Sequence, residues 1–185
     1  DLYLQQHTCK SGAAHSHTRI GDKEKSIHGG SFAISELENE EFLKHYYQKV
    51  FVDGKLEHLT EKQLVENGPV LIDLDMRYAT TVNKRQHTCD HVVDLIVLYA
   101  DRMCDMLTID DGAVIDVFVM EKPGVRKVEG TTKDGIHILI GVSMHKAMQC
   151  MLRDRILEEI GSLWDGLPIT NSWDDVFDEG VTKGF

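Results

Sequence analysis

Directly after Gly68-Pro69, the run Val70-Leu71-Ile72-Asp73-Leu74-Asp75 places two carboxylates in an otherwise apolar stretch. Such a run, opened by a residue that cannot continue a preceding ladder, predicts a buried strand. Strand side chains alternate, so Leu71, Asp73 and Asp75 share one face while Val70, Ile72 and Leu74 share the other. Two carboxylates at i and i+2 then project side by side from a rigid element. Their repulsion is costly unless something positive lies between them, and a divalent cation is the usual solution. The stretch, continued by Met76-Arg77-Tyr78, reads as a candidate metal site.

A chain of 185 residues is long enough to bury a full core, and it suits one domain spanning 1–185, with room for a small accessory lobe. It opens on Asp1 and closes on Gly184-Phe185, and reads as a piece of a longer protein. No run approaches the roughly 20 apolar residues of a membrane span, so no membrane partner is expected. The cysteines Cys9, Cys89, Cys104 and Cys150 contain no CxxC pair, which points to a reducing, intracellular setting. Lys plus Arg total 20 against 31 Asp plus Glu, a formal net charge of -11. That balance argues against coating nucleic acid by bulk electrostatics. It leaves open an enzyme that grips a nucleic-acid end through a local basic strip and metal ions.

Periodicity supplies the other elements. Ser35 and Glu38 have capping-box spacing ahead of Phe42, Leu43, Tyr46, Tyr47, Val50 and Phe51 at helical intervals. Thr60 and Gln63 predict the cap of a short second helix. Val92, Leu95, Ile96, Tyr99 and Met103 form one apolar stripe of a helix over about 91–107. Residues 113–120 and 136–140 read as strands, and 122–133 as a hairpin or solvated loop of plain surface character. Ser143 is placed to cap a helix carrying Met148, Met151, Leu152, Ile156, Ile160 and Leu163. The expected class is mixed α/β (α+β), with a partly antiparallel sheet flanked by helices.

Three further groups carry candidate chemistry. His137 alternates with Ile136 and Ile138 and so faces away from them. It reads either as a satisfied strand residue or, beside Lys133-Asp134-Gly135, as a donor to a phosphate oxygen. Asp178 follows Val176-Phe177 among Asp174, Asp175 and Glu179, and reads either as part of an acidic turn or as the third carboxylate of a two-metal site. Arg19 and Arg77 are the arginines best suited to bidentate phosphate contact. His7-Thr8-Cys9 recurs as His87-Thr88-Cys89, but pairs separated by one residue do not match common structural zinc spacings.

In their order, Val70 to Asp75, Gly135 to His137 and Phe177-Asp178 resemble the three motifs of the archaeo-eukaryotic primase superfamily. The stretches His17 to Asp22, Gly29-Gly30-Ser31, Leu59 to Gln63, Leu71 to Tyr78 and Lys133 to Ile138 are similar to the primase domain of large-DNA-virus primase-helicases of the poxvirus type. The resemblance covers nearly the whole chain. It implies a primase-polymerase-like catalytic core, normally fused to a C-terminal superfamily 3 helicase outside this chain. It also implies two Mg²⁺ or Mn²⁺ ions held by Asp73, Asp75 and Asp178, and nucleoside triphosphate contacted by His137, Lys133, Arg77 and Arg19. The implied partners are a single-stranded DNA template, the nucleoside triphosphates and, through the helicase, further copies of the protein. The implied setting is viral DNA replication in the host cytoplasm or nucleus. The middle motif departs from the frequent Ser-x-His in having Gly135 at its first position.

Two other classes share these features. Asp-x-Asp at a strand end also serves sugar-nucleotide transferases and phosphohydrolases, and nucleotide incorporation separates these from a primase. A non-catalytic interaction domain of a replication complex is the other, and weak divalent-metal binding would favour it.

Overall fold

The computed structural model describes residues 2–10, 12–62 and 66–183. Contacts divide the chain into two compact units, Asp1–Gln63 and Leu64–Phe185. Among the described residues no helix is long and apolar enough to cross a membrane.

The first unit contains α1 (Leu2–Gln6), β1 (His17–Arg19), β2 (Gly30–Phe32), α2 (Asn39–Tyr47), a π-helical turn over Gln48–Val52, and β3 (Leu59–Glu61). Its strands form an antiparallel sheet in the order β2-β1-β3. Leu4, Phe32, Ile34 and Phe42 make a small core of their own. Ser35 and Glu38 do join, with the Ser35 N–H and Oγ both donating to Glu38 Oε2 at 3.0 and 2.5 Å. That bond closes a turn, and α2 begins only at Asn39. The helix expected behind Thr60 is instead β3, where Thr60 pairs with Thr18 and its Oγ1 donates to the Thr18 carbonyl at 3.1 Å. A β-branched residue with a ladder partner prefers the strand. Gln63 lies outside the described residues.

The second unit is built on β4 (Asn67–Tyr78), α3 (Cys89–Cys104), β5 (Val117–Glu121), β6 (Arg126–Val128), β7 (Thr131–His145), α4 (Lys146–Leu163), α5 (Trp173–Val176) and α6 (Glu179–Lys183). Its sheet is antiparallel throughout, ordered β4-β7-β5, with β6 pairing β7 as a hairpin. Val70, Ile72, Leu74, Met76 and Tyr78 of β4 and Ile136, Ile138 and Ile140 of β7 enter one core with Leu95, Tyr99 and Met103 of α3 and Leu152, Ile156 and Ile160 of α4. Both long helices thus pack on one sheet face. The alternation read from the sequence puts Asp73, Asp75 and His137 on the opposite face.

β4 and β7 are much longer than their apolar runs suggest. β4 starts two residues before Pro69, which is tolerated because β4 is an edge strand and the register shifts between Pro69 and Val70. The amide of the buried Gln149 bridges this irregularity, donating to the carbonyls of Gly68, Pro69 and Met144 at 3.0–3.2 Å. Ser143 does not cap α4, because it lies in the ladder opposite Pro69. His145 takes that place, its Nδ1 accepting from the Ala147 N–H at 3.2 Å. β5 starts at Val117, later than expected, where its pairing with Ile140 begins.

Candidate active site

The β4–β7 ladder fixes the site. Asp73 stands opposite His137, Asp75 opposite Gly135 and Arg77 opposite Lys133. Directly opposed residues of an antiparallel pair share a face, so these side chains form one strip on the open side of the sheet. His137 Nε2 lies 3.1 Å from Asp73 Oδ1. Lys133 Nζ lies 3.4 Å from Asp75 Oδ2, and Lys122 Nζ 3.4 Å from Asp75 Oδ1. Phe118 and Met120 of β5, opposite Leu139 and His137, continue the strip as exposed apolar surface.

Asp178 arrives from the far end of the chain. Phe177 forms an antiparallel bridge with Leu74, and both are buried. The Asp178 N–H donates to the Asp73 carbonyl at 3.0 Å, so its backbone runs beside Asp73 along the edge of β4. Arg153, a buried arginine on α4, pins this segment by donating to the Phe177 carbonyl from Nε and Nη2 at 3.1 and 2.7 Å, and to the Asp174 carbonyl and carboxylate. The Asp178 carboxylate accepts from the Gly180 N–H at 2.8 Å, at the start of α6. Asp174 and Asp175 are exposed, and Asp175 is paired with Ser172 Oγ at 2.7 Å.

Burial pushes the Asp73 carboxyl above its ordinary pKa. The charges of Asp178 and Asp75 add to the rise, and His137 and Lys122 oppose it. The carboxylates of Asp73, Asp75 and Asp178 therefore interact here. Among the described residues, no group of three His, Cys, Asp or Glu side chains stands close enough together to hold an ion. Asp73, Asp75 and Asp178 nonetheless supply only hard oxygen donors, the chemistry Mg²⁺ and Mn²⁺ take.

Arg77 is exposed, with its backbone clamped on both sides. Its N–H donates to Asn171 Oδ1 at 2.9 Å, and its carbonyl accepts from Thr170 N and Oγ1 at 2.8 and 3.0 Å. Asn171 also donates to the Asp75 carbonyl at 2.9 Å, so one amide side chain ties down β4 at both positions. Arg19 belongs to the first unit. Its guanidinium donates to the His28 carbonyl, faces Glu57 at 3.7 Å and lies over Phe32.

The sequence reading missed a charged network behind the strip. Arg85 donates to Asp134 at 3.1 and 3.2 Å, to Glu121 at 2.8 Å and to the Lys122 carbonyl. His87 Nε2 lies 2.8 Å from Glu121 Oε1. The Asp134 and His87 side chains are both 0% exposed. The signal lay in Asp134, an acid interrupting a strand at a core-facing position, which demands a cationic partner. His87 thereby has a carboxylate partner, and His7 pairs with Glu38 in the first unit. Lys122, read as plain surface, touches a candidate catalytic acid.

Residues 23–184 match the family described as the C962R protein N-terminal AEP domain, where AEP denotes archaeo-eukaryotic primase, and the chain belongs to that family. It is also 27% identical over 155 residues to the "Putative helicase L207/L206" of Acanthamoeba polyphaga mimivirus, a match covering 82% of this chain and 16% of that protein.

Proposed function

We propose that this archaeo-eukaryotic primase domain is a template-directed nucleotidyl transferase that makes primers on single-stranded DNA from nucleoside triphosphates. The observation that carries the reading is the joining of three distant segments at one place: Asp73 faces His137 across the ladder, and Asp178 is bonded to Asp73 through its backbone. The helicase name of the mimivirus relative, of which the chain spans 16%, supports a fused helicase in the whole protein. Further copies would assemble through that helicase.

Asp73, Asp75 and Asp178 would hold Mg²⁺ or Mn²⁺. Two such ions, when bound, supply the charge neutralisation and in-line alignment that phosphoryl transfer requires. The protein's own groups do the rest. Asp73 and Asp75 present their oxygens from a strand whose other face is core, so the carboxylates are fixed before substrate arrives. His137 would donate to the triphosphate from beside Asp73. Lys133 and Arg77, opposite one another, would take the more distal phosphates. Arg19, on the first unit, would bind template phosphate.

A primer-synthesis assay on single-stranded DNA, with and without divalent metal, tests the reading. Metal-dependent extension products are expected from the protein and not from Asp73→Asn. Absence of incorporation together with failure to bind Mn²⁺ would favour a non-catalytic interaction domain.

A further inference from the structure

Lys122 lies one residue beyond β5, and its backbone is held on both sides. Its N–H donates to the Gly135 carbonyl at 3.1 Å, and its own carbonyl accepts from Arg85 Nη2. Arg85 is in turn fixed by the buried Asp134 and by Glu121. From this anchored start the Lys122 side chain crosses β7 directly above Gly135. A Cβ at position 135 would lie 2.5 Å from Lys122 Nζ, 2.8 Å from Cε and 3.0 Å from the Leu74 carbonyl oxygen. The missing side chain at 135 is therefore the channel through which the ammonium reaches Asp75. Gly135 has no positive φ, so the turn-forming freedom of glycine is not what it contributes here.

The result is one carboxylate bracketed by two ammonium groups, Lys122 on Oδ1 and Lys133 on Oδ2, both at 3.4 Å. One cation suffices to offset one carboxylate. With two on Asp75, either can leave while the other still pairs it. Lys122 is 45% exposed, so its pairing with Asp75 is weak and exchangeable. Its backbone, by contrast, is rigid.

We propose that Lys122 is a polyphosphate-binding residue. Its ammonium rests on Asp75 in the free protein and turns, together with Lys133, onto phosphate oxygens of the nucleotide once a divalent cation occupies Asp75. This rests on the nucleotidyl-transferase reading and adds to it a phosphate contact from outside the three motif segments. A three-donor point charge on a flexible stem suits such a movement.

The test uses the purified chain and titrates two probes by calorimetry: Mn²⁺ alone, and inorganic tripolyphosphate in the presence of saturating Mn²⁺. Lys122→Gln should weaken tripolyphosphate binding by about tenfold. The same variant should bind Mn²⁺ alone as well as or better than wild type, because an ammonium competing for Asp75 has been removed. Lys127→Gln, on the exposed β6, should change neither. An unchanged tripolyphosphate affinity in Lys122→Gln, or a wild type that does not bind the probe, overturns the proposal. Incorporation assays keep the two readings apart. Lys122→Gln with unaltered nucleotide KM sinks the lysine assignment alone. Lys122-dependent polyphosphate binding by a wild type that incorporates nothing sinks the polymerase reading alone.

Discussion

Asp178 donates its backbone N–H to the carbonyl of Asp73, so the third acid is registered against the first by main chain and not by chance proximity of side chains. Phe177, buried opposite Leu74, holds that register from the core side. A backbone bond of this kind survives removal of the carboxylate, which makes the role of the acid separable from the role of the segment.

Alanine replacement of Asp174, Asp175 and Asp178 should therefore give loss of metal-dependent incorporation at Asp178 alone. Asp174→Ala forfeits a part-buried contact to the buried Arg153, which keeps its bonds to the Phe177 and Asp174 carbonyls, so the variant should lose some stability (about 1–3 kcal/mol) but not activity. Equal loss of activity at Asp175→Ala, measured in the same primer assay, would show the third acid to be misassigned.

Asp73→Asn and Asp75→Asn should abolish incorporation without lowering thermal stability in metal-free buffer. Asp73 has a raised pKa, so the fold favours its protonated form. Its relative contribution to stability is thus fully present below the unfolded carboxyl pKa and fades as pH rises through the folded value. Melting temperatures of wild type and Asp73→Asn should diverge as pH rises through that interval, with the mutant the more stable at neutral pH. A destabilised Asp73→Asn at pH 7 would contradict the electrostatic account.

His137→Ala is expected to raise nucleotide KM more than it lowers kcat, as befits a contact of similar strength in ground and transition states. The ring is 58% exposed, so the melting temperature should hardly move. The His137 charge lowers the pKa of Asp73, and its loss should push that carboxyl further up. Collapse of stability with constant nucleotide affinity would identify a structural histidine instead.

Arg85→Ala leaves the Asp134 carboxylate buried without its main partner. Breaking a buried pair in this way costs about 3–5 kcal/mol, readable as a shift in the denaturant midpoint. Loss of activity in this variant should follow loss of fold and of the Lys122 position. A variant as stable as wild type would mean that His87 or solvent compensates Asp134.

Much of the site was legible because it obeys strand periodicity. Alternation alone placed Asp73, Asp75 and His137 away from the isoleucines, and the antiparallel ladder put them on one strip. The misreadings share a cause. Thr60 and Ser143 have side chains that suit helix caps, but each has a ladder partner distant in sequence, Thr18 and Pro69, and ladder bonds won. Lys122, Arg85 and Asn171 act through contacts with residues tens of positions away, for which a local pattern carries no trace. Gly135 was visible only as a departure from Ser-x-His, and its spatial reason required the path of the Lys122 side chain.

The backbone bond between Asp178 and Asp73 also joins two segments far apart in the chain. Closing a loop of roughly a hundred residues carries a chain-entropy cost that grows slowly with length, offset here by burial of Phe177 against Leu74 and by the Arg153 bonds to its carbonyl. During vectorial synthesis Asp73 and Asp75 emerge before Asp178. The three carboxylates can come together only once the segment carrying Phe177 and Asp178 has been added.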